Sequence, residues 1–301
     1  MFKLNDWIDK DKLWWPYLSS NPSALTLLEK NQDKIDWYYL SQNPSARAIA
    51  LLEKNQDKIV WSWLSTNPSA LTLLEKNQDK INWSHLSTNP SALTLLEKNQ
   101  DKINWTQLSE NPSARALTLL EKNLDKICWP YLSLNPSARA LTLLENNQDK
   151  IGWPRLSINP SVRAIALLEK NQDKIDWYLL SLNPSARAIA LLEKNQDKII
   201  WSQLSRNPSA ITLLENNQDK IHWTLLSSNP SAIALLEKNQ DKIHWAQLSA
   251  NPAIFEYDYK GMKDAMYNGI KEDLVKNRFH PKNIPKFRDW GMDGFEDYED
   301  E

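Results

Sequence analysis

Glycine, cysteine and histidine are scarce in this chain, with 5, 1 and 4 copies among 301 residues. A single cysteine, Cys128, cannot form an intrachain disulfide, which excludes a disulfide-stapled secreted fold and fits a reducing, intracellular setting. The sequence has no phosphate-cradling glycine loop, no Cys/His cluster and no nucleophile–base pair. These absences argue against an enzyme and against a metal or other cofactor.

Net charge and long apolar runs are also lacking. The chain has 36 basic and 38 acidic side chains, a formal net charge of -2, and therefore no global attraction to nucleic acid or anionic lipid. No run approaches the ~18 apolar residues of a membrane span, and residues 1–11 do not resemble a signal peptide. The hydrophobic fraction of 41% suffices for a packed core. We therefore expect a soluble, ordered protein without membrane association.

Tryptophan, by contrast, is abundant, with 15 copies, and most of them mark an internal repeat. Eleven Asn-Pro pairs recur at intervals of 22 or 24 residues, and a tryptophan lies six residues before each asparagine. Such a period is typical of a solenoid, in which each short unit is stabilised by its neighbours. The asparagines are Asn21, Asn43, Asn67, Asn89, Asn111, Asn135, Asn159, Asn183, Asn207, Asn229 and Asn251.

Each repeat predicts two helices. Asn43 and Pro44 suit the N-cap and first position of a helix A, which we expect to end at Asn55 in the left-handed conformation. The Arg-Ala insertion of the longer units is predicted to extend the N-terminal end of helix A. A short helix B, either α-helical or partly 3₁₀, is predicted to begin at the repeat tryptophan. Proline follows that tryptophan at Pro16, Pro130 and Pro154, and proline is tolerated only in the first turn of a helix. The predicted N-caps of helix B are Asp36, Asn82, Asn104 and Asp176.

The predicted fold class is all-α, an α-solenoid of about eleven two-helix repeats with a cap at each end. The boundaries are an N-terminal cap at 1–14, the repeats at 15–252, C-terminal capping helices at 253–290, and an acidic, disordered tail at 291–301. Within the caps, helices are expected from Tyr259 to Arg278 and from Pro281 to Trp290. Apolar residues such as Met266 and Ile270 are expected to cover the last open face, and the repeat tryptophans are expected in the core.

The repeat wording, seen cleanly from Trp61 to Ile81, resembles the short helical-repeat proteins that giant nucleocytoplasmic DNA viruses encode in multiple copies. The passage from Asn251 to Tyr259, followed by His280-Pro281-Lys282, is similar to the closing segment of those proteins. The resemblance covers nearly the whole chain and implies a viral origin and an intracellular helical-repeat fold, in host cytoplasm or nucleus or in the virion. It carries no catalytic residues across. A weaker similarity links the repeat to leucine-rich variant repeats.

Sequence variation within the repeat points to one candidate surface. Three variable positions, the two after the tryptophan and the one before Asn-Pro, fall on one side of helix B, away from Trp and Leu; we call them the helix B stripe. Aromatic and arginine side chains are favoured at protein-binding hot spots. The candidate protein-binding residues are Tyr38, Tyr39, Trp63, His85, Tyr131, Arg155 and Tyr178.

Other interpretations stay open. The stripe can also be solvated surface that varies freely between repeats. A nucleic-acid-binding repeat is a second class, but the stripe has only Arg155 and Arg206 as cations, and phosphate binding needs more. His222 and His244 share one repeat position, yet two histidines make a weak metal site. Because Glu, Lys and Asp recur in nearly every unit, they indicate scaffold and not a catalytic constellation.

The sequence therefore predicts a non-enzymatic repeat scaffold that binds a protein partner and acts on host or virion proteins. It predicts no small-molecule substrate. The alternatives are a nucleic-acid-binding repeat and a structural component of the virion.

Overall fold

The computed structural model of the protein describes residues 2–274 and 276. The repeats form one compact unit, Leu4–Phe255. The predicted helix from Pro281 to Trp290, the end of the preceding helix at Arg278 and the acidic tail at 291–301 lie outside the described residues.

The helical-repeat architecture is confirmed, and helix B begins at the repeat tryptophan in every unit. It is a short α-helix of four to six residues, because the next Asn-Pro interrupts it. The predicted caps of helix B are also found: Asp36 accepts a hydrogen bond from the backbone N–H of Tyr38, and Asn82 one from that of His85. The helices B are Trp15–Ser20, Trp37–Leu40, Trp61–Thr66, Trp83–Leu86, Trp105–Glu110, Trp129–Leu132, Trp153–Ser157, Trp177–Ser181, Trp201–Leu204, Trp223–Leu226 and Trp245–Ser249.

Helix A follows each Asn-Pro and has two lengths, as the insertion predicts. In the longer units it starts directly after a capping serine, such as Ser45, and has eight or nine residues. In most shorter units a Pro-Ser-Ala 3₁₀ turn capped by the asparagine comes first. The helices A are Leu25–Glu29, Ala46–Lys54, Leu71–Lys76, Leu93–Lys98, Ala114–Glu121, Ala138–Glu145, Val162–Lys170, Ala186–Glu193, Ile211–Glu215 and Ile233–Lys238.

The inserted arginine of the longer units has a structural role. Arg47 forms an ion pair with Glu29 on helix A of the preceding repeat and donates to the hydroxyl of Thr26. The same pairing joins Arg115 to Glu97 and recurs in the other three long units. The insertion therefore connects neighbouring helices A along their exposed side.

A single 3₁₀ turn, usually Gln-Asp-Lys, connects helix A to helix B, for example at Gln56–Lys58. Of the two geometries left open for helix B, the structure has the α-helix, and the 3₁₀ geometry lies in the turns between helix A and helix B. The preceding Asn55 is not left-handed, since its φ is -132° and its ψ is 53°. Its side-chain amide donates to the carbonyl of Leu51 at 2.9 Å, which satisfies one of the free carbonyls at the helix end. That hydrogen bond explains the asparagine without the left-handed backbone we expected.

The core lies between the two helices of each repeat. The leucine three residues after each repeat tryptophan, such as Leu40, is fully buried, as is the second leucine of the Leu-Leu pair, such as Leu52. Every buried polar side-chain atom within the described part of the chain has a hydrogen-bond partner. Stability therefore comes from apolar contacts within repeats together with polar contacts between them.

The first and last repeats of Leu4–Phe255 are in direct contact, so this unit is a closed ring of eleven repeats. The backbone N–H of Trp14 donates to Ser249 Oγ at 2.8 Å, and Asn21 Nδ2 donates to the carbonyls of Ser249 and Asn251 at 3.2 and 3.1 Å. The ammonium of Lys12 lies 5.0 Å from the Trp245 ring. An equivalent bond to the serine hydroxyl, an equivalent bond to the asparagine carbonyl and an equivalent lysine–tryptophan contact connect consecutive helices B around the whole ring.

Closure corrects the predicted caps. Residues 10–14 complete the eleventh repeat, since Lys10–Lys12 forms the turn that Gln-Asp-Lys forms elsewhere and Leu13 is buried like the repeat isoleucine. Residues 10–14 of the predicted N-terminal cap at 1–14 therefore belong to the repeat unit. The first repeat already occupies the packing face of the last one, so no separate capping helix is needed there.

The second compact unit is formed by residues 2–3 and the described residues from 256 onward. Strand β1 (Phe2–Leu4) pairs with β2 (Phe255–Tyr257) in a two-stranded sheet. The all-α prediction did not include this sheet. The C-terminal helix is Tyr259–Asp273. Its apolar residues Met266 and Ile270, which were expected to cover an apolar face, are 68% and 49% exposed. Within the described residues, no helix combines the length and apolarity needed to cross a bilayer.

Candidate functional site

The helix B stripe runs along helices that are neighbours around the ring. Helix Trp15–Ser20 packs against Trp37–Leu40 on one side and against Trp245–Ser249 on the other. The variable side chains of successive repeats therefore lie next to one another.

Four of the predicted site residues, Tyr38, Tyr39, Trp63 and His85, form one continuous aromatic run. Ring centroids are 5.2 Å apart between Tyr38 and Tyr39, 5.7 Å between Tyr38 and Trp63, and 5.8 Å between Trp63 and His85. His85 Nδ1 is also 2.8 Å from the carbonyl oxygen of Ser62. The structure thus joins residues that the sequence places in three different repeats.

The aromatic run extends further than the sequence indicated. Tyr17 packs edge-on against Tyr39, with centroids 5.4 Å apart, and Trp14 packs edge-on against Tyr17 at 4.3 Å. Trp14 lies outside the repeat tryptophans and outside the stripe, which is why it was missed. Its signal was its position directly before the repeat tryptophan Trp15.

The remaining three site residues lie elsewhere on the ring. Tyr131 and Arg155 form a pair, with the guanidinium 3.9 Å from the ring centroid. Tyr178, in the next repeat, is 51% exposed. The predicted residues therefore fall into a run of four, a pair, and one separate tyrosine.

Burial and nearby charge affect two titrating groups of this surface. Desolvation raises the pKa of the Glu110 carboxyl, and the guanidinium of Arg155 opposes that shift only in part. Desolvation together with Tyr17, Asp36 and Tyr38 raises the pKa of the Tyr39 phenol. The aromatic run therefore lies in a partly desolvated environment that also has a carboxylate nearby.

The repeat tryptophans were expected in the core, but the structure does not place them there. All eleven are only partly buried, and a lysine from the next turn lies over each ring, with distances from 4.4 to 5.6 Å. Lys174 over Trp153, at 4.6 Å, is typical. Each lysine lies in the turn that leads into the next helix B, so these cation–π contacts connect each helix B to the turn before the following one.

Replacing one such lysine should measurably lower the stability of the protein. For Lys174→Gln we expect a loss of about 0.5–1 kcal/mol in the free energy of unfolding, the usual size of an exposed cation–π contact. Urea denaturation followed by circular dichroism measures it. Lys170→Gln, at an exposed lysine without a ring contact among the described residues, is the control. Equal losses in both variants would show that the contact between Lys174 and the Trp153 indole contributes nothing to stability.

The asparagine of each Asn-Pro pair has a second role that the N-cap prediction missed. Its side-chain oxygen accepts from the backbone two residues on, as in Asn43 with Ser45 at 3.0 Å. Its side-chain amide donates to the carbonyl of the asparagine in the preceding repeat. All eleven links have lengths between 2.8 and 3.2 Å, so they form a closed circle that we call the asparagine ring.

The two histidines at one repeat position act as helix caps. The Nδ1 atoms of His222 and His244 accept from backbone N–H groups of their own helices B at 3.4 and 3.3 Å. Cys128, in the corresponding position, is a half-buried free thiol. Within residues 2–274 and 276, no three His, Cys, Asp or Glu side chains are grouped as metal ligands.

Comparison with known proteins adds no assignment. No family model, curated relative or solved structure matches this chain.

Proposed function

We propose that the ring is a non-enzymatic scaffold whose helix B stripe binds a partner protein. One observation carries this proposal: the repeats have nearly invariant contacts, whereas the side chains of the helix B stripe vary and include a run of contacting aromatic residues. Aromatic side chains bury large areas at low entropic cost, which suits them to protein interfaces.

The recurrent charged residues support a scaffold role over a catalytic one. Glu29 pairs with an inserted arginine, and the turn lysines lie over tryptophan rings. Groups that hold repeats together in this way are not a unique constellation arranged around a substrate. The same pattern disfavours a nucleic-acid partner, since the lysines are engaged with tryptophans and the stripe adds only two arginines.

Comparative affinity purification from host or infected cells tests the proposal. The tagged protein is compared with a variant in which Tyr38, Tyr39, Trp63, Tyr131 and Tyr178 are changed to serine. We expect the variant to retain its helical circular dichroism and to lose the partner. The control variant changes Leu124 and Val162 to serine, since both are exposed and lie outside the stripe, and it should retain the partner.

The proposal fails if the stripe variant, folded, captures the same proteins as the unmodified chain. Recovery of nucleic acid in place of protein would favour the nucleic-acid-binding alternative. The resemblance to giant-virus repeat proteins supports, as part of the proposal, an intracellular site of action on host or virion proteins. Assembly of the tagged chain into purified particles would favour the structural virion role.

A further inference from the structure

Most exposed aromatic faces of the ring already carry a cation. Every repeat tryptophan has a lysine ammonium above it, and Tyr131 has the guanidinium of Arg155 at 3.9 Å. Five further rings differ, because none of the described lysines or arginines lies over them. We call this set the aromatic arc: Trp14, Tyr17, Tyr38, Tyr39 and Trp63.

One carboxylate adjoins the aromatic arc. The stripe positions of the first five repeats contain no lysine or arginine. The carboxylate of Asp36 caps the helix that carries Tyr38 and Tyr39. Aromatic faces beside a carboxylate are complementary to a positively charged guest.

The ring itself shows how such a guest would bind. Tyr131 and Arg155 both occupy the second position after the repeat tryptophan in adjacent repeats, and there the guanidinium stacks on the phenol ring. Tyr17, Tyr39 and Trp63 occupy that same position in three successive repeats. None of the described lysines or arginines stacks on Tyr17 or Tyr39 in this way, and at Trp63 the imidazole of His85 from the next repeat stacks on the indole, with ring centroids 5.8 Å apart.

We propose that the aromatic arc binds arginine side chains of a basic, extended segment of the partner protein; this inference rests on the proposed function. Arginine fits better than lysine, because its planar guanidinium stacks on aromatic faces and is more weakly hydrated. Adjacent packed helices are about 8–10 Å apart. An extended chain in the polyproline II conformation has three residues per turn and rises about 3.1 Å per residue, so side chains three residues apart lie on one face about 9 Å apart. Arginines at every third position of such a segment therefore match the spacing of the repeats.

A peptide titration tests the proposal directly. The probe is a nine-residue Gly/Ser peptide with arginine at every third position, and its twin carries citrulline there, which has nearly the same shape without the charge. Both are titrated into the full-length protein by isothermal calorimetry. We expect the citrulline peptide to bind at least about tenfold more weakly, the equivalent of one or two cation–π contacts.

Matched variants locate the site. Tyr39→Leu and Trp63→Leu keep an apolar side chain and should each weaken binding of the arginine peptide several-fold. Asp36→Asn keeps the cap, since Asn82 serves as one in its own unit, and should weaken binding by removing the charge. Leu124→Ser, at an exposed residue outside the helix B stripe, should have no effect.

Three results would overturn the inference. Equal binding of the citrulline peptide would remove the role of charge. Binding unchanged by Trp63→Leu but lost on deletion of the acidic residues 293–301 would mean attraction to the tail. A proline-rich peptide or an oligosaccharide that binds the arc while the arginine peptide does not would assign it another ligand. In each case the proposed function stands if the serine variant still loses its partner in affinity purification.

Discussion

Spin labels at residues 20 and 250 should report the short separation of neighbouring repeats, although these residues lie at opposite ends of the repeat array. Both Ser20 and Ala250 directly precede the asparagine of an Asn-Pro pair. Across the closed joint their helices are neighbours, and packed helices are about 10 Å apart. In an open stack of eleven repeats with that spacing, the same labels would be roughly 100 Å apart.

The joint should stay closed because it has the polar contacts found between interior repeats. Asn21 bonds the last repeat as Asn43 bonds the first, and Trp14 N–H reaches Ser249 Oγ as Asp36 N–H reaches Ser19 Oγ. Helix Trp15–Ser20 also packs against Trp245–Ser249. An open ring would leave these groups without their partners and expose apolar surface, so closure is favoured.

Pulsed electron resonance on double-cysteine variants measures the separation, with Cys128→Ser removing the native thiol. Labels at 20 and 42, in adjacent interior repeats, give the reference for a short distance, and labels at 20 and 134 give one for a separation across the ring. A long distance for 20 and 250 beside a short one for 20 and 42 would show that the repeats form an open solenoid in solution.

The sequence was sufficient to predict the repeat itself. Its period, the start of helix B at each tryptophan, and the caps at Asp36 and Asn82 all depend on local backbone chemistry, which a single repeat unit specifies. The left-handed end expected at Asn55 failed because asparagine can satisfy a helix end in two ways. Choosing between them depends on how the next turn packs.

Closure could not be derived in this way, because it depends on the small rotation between repeats multiplied eleven-fold. A signal was nevertheless present. Asp11-Lys12-Leu13 matches the Asp-Lys-Ile wording of a repeat, and the final unit after Asn251 lacks those residues. The two half-repeats complete each other, and the N-terminal one was instead interpreted as a degenerate cap.

The candidate site was predicted by variability, yet its geometry comes from contacts between repeats. Nothing in the local sequence says that Tyr38 reaches Trp63, or that Tyr131 receives Arg155. The lysines over the tryptophans were also unforeseen, since abundance and periodicity alone suggested core residues. In each case the missing information was the distance between adjacent helices B.

Asn159→Asp should destabilise the ring more than any other single isosteric change considered above. Asn159 is 1% exposed, and its amide donates to the carbonyls of Ser133 and Asn135 at 2.8 and 3.1 Å. The substitution preserves the shape and the acceptor for the Ser161 N–H. It replaces two donated hydrogen bonds with a carboxylate facing two carbonyl oxygens. We expect a loss of about 3–5 kcal/mol at pH 7, as for other uncompensated buried charges.

The loss should depend on pH in a definite direction. Burial against carbonyl oxygens favours the protonated form, so the introduced carboxyl has a higher pKa in the folded than in the unfolded chain. Between those two pKa values the folded state binds more protons, and stability falls as pH rises. Below the unfolded value of about 3.9 most of the penalty should disappear, because the neutral acid again donates one hydrogen bond.

Urea denaturation from pH 3.5 to 7.5 measures this dependence, with each variant compared with the unmodified chain at the same pH. Asn82→Asp is the matched control: it makes the same chemical change at a helix B cap, where Asp36 and Asp176 occur in equivalent units, and it should be close to neutral throughout. If Asn159→Asp were as mild as Asn82→Asp at pH 7, the asparagine ring would not be a principal link between repeats. A large loss confined to Asn159→Asp would show that one buried amide per repeat joins the eleven units into a single closed structure.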